Sequence, residues 1–345
     1  MDVVVAGERI ARVLPDRALD PALAAHAMVI DLRGRYVIPG LIDAHVHLAT
    51  PPNRRQAEAV LRRDVYGGVT AVRDMADDLR AVGELARATL VGEVADPDVY
   101  YAALMAGPAF FTDRRTVQVS AGGVPGQVPW IQAVTDSTEL PLAVARARGT
   151  SATAIKLYAD LSPALAVRIT TQAHRQHLLV WSHATLYPAE PSELVAAGVD
   201  ALSHACLLVR ELQAHVPRWT EPHPPVSLDA FRDGRNPALA RLFAEMTRRG
   251  TILDATLWTY STATAGATTL PLRSCDDTVG DAIPGQVFRA GVAIAAGKLA
   301  NLVVPARNPL DDLANLRSVV LTVKRGRRFE RRAFVPLTPG DITGF

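Results

Sequence analysis

Residues 41 to 297 constrain the fold most, because short, densely apolar, β-rich runs alternate there with helical stretches. The runs are "GVTAVRDM", "DVYYAALMAG", "ATAIKLYADL", "LLVWSHA", "VDALSHA", "TILDATLW" and "GVAIAAG". Helical stretches such as "QAEAVLRRDVYG", "SPALAVRITTQAHRQH", "PSELVAAG" and "PALARLFAEMTRRG" lie between several of them. Strands alternating with helices build parallel βαβ units. With the stretch around Leu41–His47 the strand count reaches eight, and eight such units over about 250 residues predict a (β/α)₈ TIM-like barrel. A doubly wound open sheet is the alternative, but no G-x-G-x-x-G follows the first strand.

The two ends differ from this middle. "DVVVAGERIARV" alternates and turns at Ala6-Gly7-Glu8, a hairpin signal, and "MVIDLRGRYVIPG" predicts a second strand pair around Arg33-Gly34. The tail "KLANLVVPARNPLDDLANLRSVVLTVKRGRRF" returns to short strands and turns. Residues 1–40 and 298–345 are therefore expected to form one small β-sandwich domain beside a barrel of residues 41–297. "VKRGRRFERR" is read as an edge strand with a solvated face, since charges on an edge block pairing. The Gly/Pro-rich, aromatic stretch Gly107–Gln132 follows the third strand, where long loops shape substrate pockets.

A chain of 345 residues holds one large domain and a smaller one, and 49% hydrophobic with 21% charged residues fits a soluble, well-packed globule. The net charge of +2 gives no reason to expect nucleic acid or an acidic membrane as a partner. Cys206 and Cys275 are far apart and no C-x-x-C occurs, which fits a reducing cytoplasm. The start carries early charges and no apolar core, unlike a signal peptide, and no run is long and apolar enough to span a membrane.

Chemistry concentrates at strand ends. In "GLIDAHVHL", His45 and His47 are two apart, so strand periodicity puts them on one face. His183 ends "LLVWSHA" and His204 ends "VDALSHA". Lys156 interrupts the apolar "ATAIKLYADL", a costly place for an ammonium unless it is paired or modified. Each alone reads equally as a satisfied core polar residue. Together, at successive strand ends, they read as a metal site. His174 and His177 are expected to face solvent, and His26 to lie in the small domain. His215 and His223 flank a proline-rich loop. Tyr158 shares the strand face of Lys156 and is a candidate substrate contact, as are Phe110 and Trp130; Phe111 is a pocket or packing residue.

The segments "VIPGLIDAHVHL", "GGVTAVRDM", "IKLYADL", "WSHA", "AGVDALSHA", "AGVAIAAG" and the tail, in this order, resemble the amidohydrolase superfamily, in its dinuclear prolidase-like and imidazolonepropionase-like branch. The resemblance covers nearly the whole chain. It implies a hydrolase of amide-like carbon–nitrogen bonds acting on a small molecule through a metal-activated water. It also implies that His45 and His47 hold one metal, that His183 and His204 hold another, and that Lys156, carboxylated by CO₂, bridges them. Zinc is the expected metal, as two ions in such a site, with Mn²⁺ or Co²⁺ as alternatives.

In one place the sequence departs from that pattern. The family's eighth strand is followed by an Asp that binds metal and acts as general base; here Gly297 runs directly into Lys298. The segment after barrel strand 8 is absent, so impaired catalysis is expected, with Asp254, which ends the preceding strand, and Asp74 as substitute carboxylates. An inactive metal- or ligand-binding member of the same fold, or a deleted gene, is the alternative. An uncovered barrel flank would favour a homo-oligomer.

Overall fold

The computed structural model describes residues 1–223, 234–256, 293–338 and 340. Seven strands run parallel: β1 (Leu41–Val46), β2 (Val69–Asp74), β3 (Asp98–Ala106), β4 (Ala154–Leu157), β5 (Leu179–His183), β6 (Ala201–Ser203) and β7 (Ile252–Asp254). Their order in space is their order in the chain. Between them lie α1 (Arg54–Tyr66), α2 (Leu79–Leu90), α3 (Leu140–Arg148), α4 (Pro163–Arg175), α5 (Pro191–Ala196) and α6 (Pro237–Arg249). β1 and β7 end the sheet on opposite sides, yet His45 and Asp254 hydrogen-bond across the gap, so the sheet curls into a nearly closed TIM-like barrel.

The helices begin where the sequence supplies caps. Asn53, Asp78, Ser162 and Asn236 each accept a backbone N–H in the first turn, and proline opens α4, α5 and α6. Each then buries one stripe: Leu79, Val82, Leu85 and Ala88 in α2, and Leu165, Ala166, Ile169 and Ala173 in α4. The strands are buried on both faces, which explains their near-continuous apolar runs.

Inside the barrel the side chains follow the two-residue period. Ala102, Ala154, Trp181 and Ala201 pack together with Met75. Three small residues make room for the one indole. Two positions further along, the same face carries Lys156, His183 and Ser203, while Asp254 pairs in register with Ser203. The strand registers thus bring the polar residues to one level near the C-terminal ends of the strands.

Both chain ends build the small antiparallel sheets. Asp2–Ala6 pairs with Arg9–Leu14, and a four-stranded sheet runs Arg327–Glu330, Val319–Lys324, Leu302–Pro305, Ile38–Pro39. Val303 and Val319 join the barrel core. Gly68, at φ 103°, lets them close in: a β-carbon there would stand 3.2 Å from Val303 Cγ1. Among the described residues no helix is long and apolar enough to cross a membrane.

Four expectations are corrected. The eighth barrel strand is not formed by the described part of "GVAIAAG". Residues 291–292 lie outside the described residues, and Ala293–Gly297 is irregular backbone, with Ile294 packed on Ile10, Ala300 and Leu302 of the small domain. The strand pair around Arg33-Gly34 reduces to Ile38–Pro39, because Met28, Val29 and Ile30 find no apolar surface and stay exposed. The stretch 107–132 is not an open loop. It folds into a 3₁₀ turn, the helix Arg114–Val119, and a hairpin of Gln127–Val128 with Ile131–Ala133. The edge strand Arg327–Glu330 is as expected, but Lys324 on its neighbour is buried rather than solvated, 2.8 Å from Asp98 at the start of β3.

Candidate metal centre

His45, His47, Lys156, His183 and His204 all come to the C-terminal rim of the barrel. His45 is the penultimate residue of β1 and His47 follows the strand; Lys156 lies in β4, His183 ends β5, and His204 follows β6. The rings form a chain, with centroids 5.6 Å apart for His45–His47, 4.7 Å for His45–His204 and 4.4 Å for His183–His204. His204 takes φ 74°, a left-handed conformation uncommon for a non-glycine residue.

Several rings are fixed by a group from a neighbouring strand end. His45 Nδ1 lies 2.8 Å from Asp254 Oδ2, and His47 Nδ1 lies 2.7 Å from Asp77 Oδ1. A carboxylate on Nδ1 holds the proton there and directs the Nε2 lone pair outward, the arrangement of metal-ligating histidines. His204 Nδ1 lies 2.9 Å from Thr256 Oγ1. His183 differs: its Nδ1 is buried and has no partner among the described residues.

Asp77 is itself held, accepting from Ala49 N at 2.6 Å and from the Thr50 hydroxyl. Asp74 accepts from the backbone N–H groups of Leu48 and Asp77. It braces the loop after β1 rather than facing the histidines.

Lys156 is 1% exposed, and its Nζ donates to Ser203 Oγ at 3.2 Å. Ser203 Oγ in turn lies 3.0 Å from Asp254 Oδ2. Arg73 reaches the same carboxylate at 3.6 Å, with its guanidinium 4.3 Å from the Trp181 ring centre and its Nε donating to Ala44 O. Sequence reasoning missed Arg73, Asp77, Ser203 and Thr256. Arg73 and Ser203 could have been found from the inward parity of their strands.

Burial sets the protonation states. It drives the imidazoles of His45 and His183 well below the usual histidine range, and that of His204 down to about 2, with the charge of Lys156 adding to the effect. All three are neutral at neutral pH. Burial also lowers Lys156 to about 7, against the attraction of Asp254. It raises Asp254 to about 6, opposed by Lys156 and Arg73.

Aromatic residues flank one side. The Tyr158 ring lies tilted 4.8 Å from His183 and 4.6 Å from Phe110, and Trp219 packs on Phe110, Tyr158 and Tyr187. His223 stacks on Tyr187 at 4.2 Å. Trp130 is elsewhere: its indole donates to Val119 O at 2.7 Å beneath the Arg80 guanidinium, while Phe111 packs against Phe110. His174 pairs with Asp200 at 2.8 Å. Among the described residues, no three His, Cys, Asp or Glu side chains are gathered as a ready-formed metal-binding group. The donor set nevertheless fits a metal in its chemistry: neutral buried imidazoles, carboxylates behind two of them, and an unpartnered Nδ1.

No family model matches the chain. It is 39% identical over 72 residues to a dihydroorotase of Trichlorobacter lovleyi, covering 20% of this chain and 17% of that protein. It is 48% identical over 48 residues to an adenine deaminase of Paracoccus denitrificans, covering 14% and 8%. The matches thus span under a fifth of the length of these curated relatives. Among solved structures, phenylurea hydrolase B superposes with a TM-score of 0.62 at 18% identity, covering 99% of this chain and 95% of that one. A Xaa-Pro dipeptidase with bound methionine gives 0.60 at 17%, covering 95% and 94%. A putative prolidase from Bifidobacterium longum gives 0.58 at 22%, covering 98% and 91%. The chain shares its TIM-like barrel fold with these solved hydrolases.

Proposed function

We propose that this chain is a metal-dependent hydrolase of carbon–nitrogen bonds in small amide-like molecules. The observation that carries the reading is the convergence of His45, His47, His183, His204 and Lys156 on one rim of the barrel, with carboxylates behind His45 and His47. These five residues would hold the metal, with zinc suited to the nitrogen donors. Bound there, a divalent ion supplies a water of lowered pKa and polarises the scissile carbonyl.

The protein's own groups do the rest. Asp254 and Asp77 keep His45 and His47 in the tautomer that presents Nε2. Lys156, held toward the neutral amine, is in the form that adds CO₂, which supports its carboxylation. Phe110, Tyr158 and Trp219 form an apolar wall beside His183 that would exclude bulk water and receive an apolar part of the substrate. Hydrolysis adds water across the C–N bond to give a carboxyl group and an amine.

Because Gly297 is followed by Lys298 and not by a carboxylate, turnover is expected to be slow; a general base contributes about 10²–10⁴-fold. The same gap favours a second reading, a binding protein without turnover. The test is a panel of dipeptides, N-acyl amino acids, ureas and cyclic amides, assayed with zinc-loaded and chelator-treated protein. Zinc-dependent hydrolysis abolished in His183→Asn supports the hydrolase. Zinc uptake with no hydrolysis of any panel member supports the second reading, and no zinc uptake overturns both.

A further inference from the structure

The small domain holds a cavity of about 590 Å³ lined by four arginines, Arg35, Arg328, Arg331 and Arg332, and by one acid, Glu330. Its walls are the segment that leads into Ile38–Pro39, the strands Val319–Lys324 and Arg327–Glu330, and the 3₁₀ turn Arg331–Ala333. Every lining residue belongs to the small domain. That sheet meets the barrel where the barrel strands begin, with Lys324 on Asp98 at the start of β3, whereas the histidines stand where the strands end.

The four guanidiniums are not committed alike. Arg332 pairs with Glu330 at 2.8 Å. Arg331 donates one N–H to Arg317 O at 3.0 Å, and burial draws it below the usual guanidinium range. The side chains of Arg35 and Arg328 have neither a hydrogen bond nor an ion pair among the described residues. Three positive charges thus line one hollow without a carboxylate partner among the described residues, and like charges gathered this way repel. Protection of a sheet edge accounts for charge on Arg327–Glu330, but Arg35 lies outside that strand. The rest of the lining is apolar, with Ile30, Leu32 and Val320 beside the buried Val319 and Leu321. Small-molecule sites span roughly 300–1,000 Å³ and combine an apolar lining with a few placed polar groups. A monocarboxylate would neutralise a single guanidinium. Phosphate groups carry more charge and more acceptor oxygens, and match several guanidinium forks at once.

We propose that this cavity binds a small phosphate-bearing molecule, with its phosphates on Arg35, Arg328 and Arg331 and an apolar portion against Ile30 and Leu32. The site is separate from the metal centre and does not depend on the reading given there.

The test is calorimetric titration of the full chain with adenosine triphosphate, pyrophosphate and benzoate. Adenosine triphosphate should bind tightest, pyrophosphate more weakly and benzoate weakest. The double variant Arg35→Gln/Arg328→Gln should weaken adenosine triphosphate binding by at least about tenfold. Neither side chain has a partner to lose, so its melting temperature should match the wild type. The control Arg12→Gln/Arg175→Gln removes the same charge from exposed positions elsewhere and should leave binding unchanged. No binding of either phosphate compound, benzoate binding as tight as that of adenosine triphosphate, or an equal loss in both double variants overturns the proposal. So does binding that is lost in His183→Asn and kept in Arg35→Gln/Arg328→Gln, which would put the probe at the metal centre.

Discussion

His45 and Asp254 are 209 positions apart in sequence and stand on the two outermost strands of the described barrel sheet, joined by a 2.8 Å hydrogen bond. Backbone pairing normally closes such a barrel; here, among the described residues, a side-chain pair spans the gap. Asp254→Ala should therefore destabilise the metal-free protein by about 2 kcal/mol, the worth of a buried hydrogen bond to a charged group. Urea unfolding of chelator-treated protein measures it, and an unchanged midpoint would count against the closure.

Asp77 acts on His47 from behind. Asp77→Ala removes the group that fixes the ring, and with it the brace on Ala49 N and Thr50. Zinc affinity should fall about 10–100-fold, read by competition with a chromophoric chelator. Asp77→Asn, which keeps an acceptor for Nδ1–H, should lose less.

The small domain is pinned to the barrel by Asp98, which receives Lys324 at 2.8 Å and Arg325 at 3.2 Å. Asp98→Ala leaves Lys324 buried without its counter-ion and should cost about 3–5 kcal/mol. Adding Lys324→Met should restore a large part of that loss. Equal stability of the single and double variants in a denaturant titration would refute the pairing.

Asp96 sets a pH dependence. Burial raises its carboxyl to about 7, with the charge of Glu58 adding to the rise. A folded-state pKa above the unfolded value favours folding while the group is protonated. Its contribution is full below about pH 4 and lost as pH rises through about 7. Asp96→Asn should therefore be more stable than wild type at pH 8, by on the order of 4 kcal/mol. The difference should shrink toward pH 4, and paired melting curves at the two pH values check it.

Trp130 separates packing from pocket. Its indole satisfies a buried carbonyl, so Trp130→Phe should cost about 1–3 kcal/mol. Zinc uptake and substrate KM should stay unchanged, whereas Tyr158→Ala should raise KM. A raised KM in Trp130→Phe would return that residue to the substrate site.

Much of the barrel was legible because each parallel strand is buried on both faces and prints an apolar run; "ATAIKLYADL" and "LLVWSHA" could be little else. The rim histidines and Lys156 were legible for the same reason, as polar residues ending apolar runs. Their supports were not. Asp77 is 30 positions from His47 and Thr256 is 52 from His204, so the pairings exist only once helices return the chain to the next strand. The described part of "GVAIAAG", Ala293–Gly297, departs from the expected strand because an apolar run fits a barrel strand and a small-sheet contact equally well. Its neighbours decide, and Ile10 and Leu302 hold Ile294.

That choice has a mechanical side. Gly297, at φ 83°, donates its N–H to Ile10 O at 2.8 Å and accepts from Arg9 at 2.7 Å, while Ile10 N donates to Lys298 O. Only three residues separate Ala293 from Gly297, so the position of Gly297 on the hairpin limits where Ala293 can lie. Any movement of Ala293–Ala296 away from the amino-terminal hairpin works against these hydrogen bonds and the packing of Ile294 on Ile10. A hairpin formed at the start of the chain thus fixes the point from which the tail sheet sets out, and the two ends of the chain are clamped at one glycine.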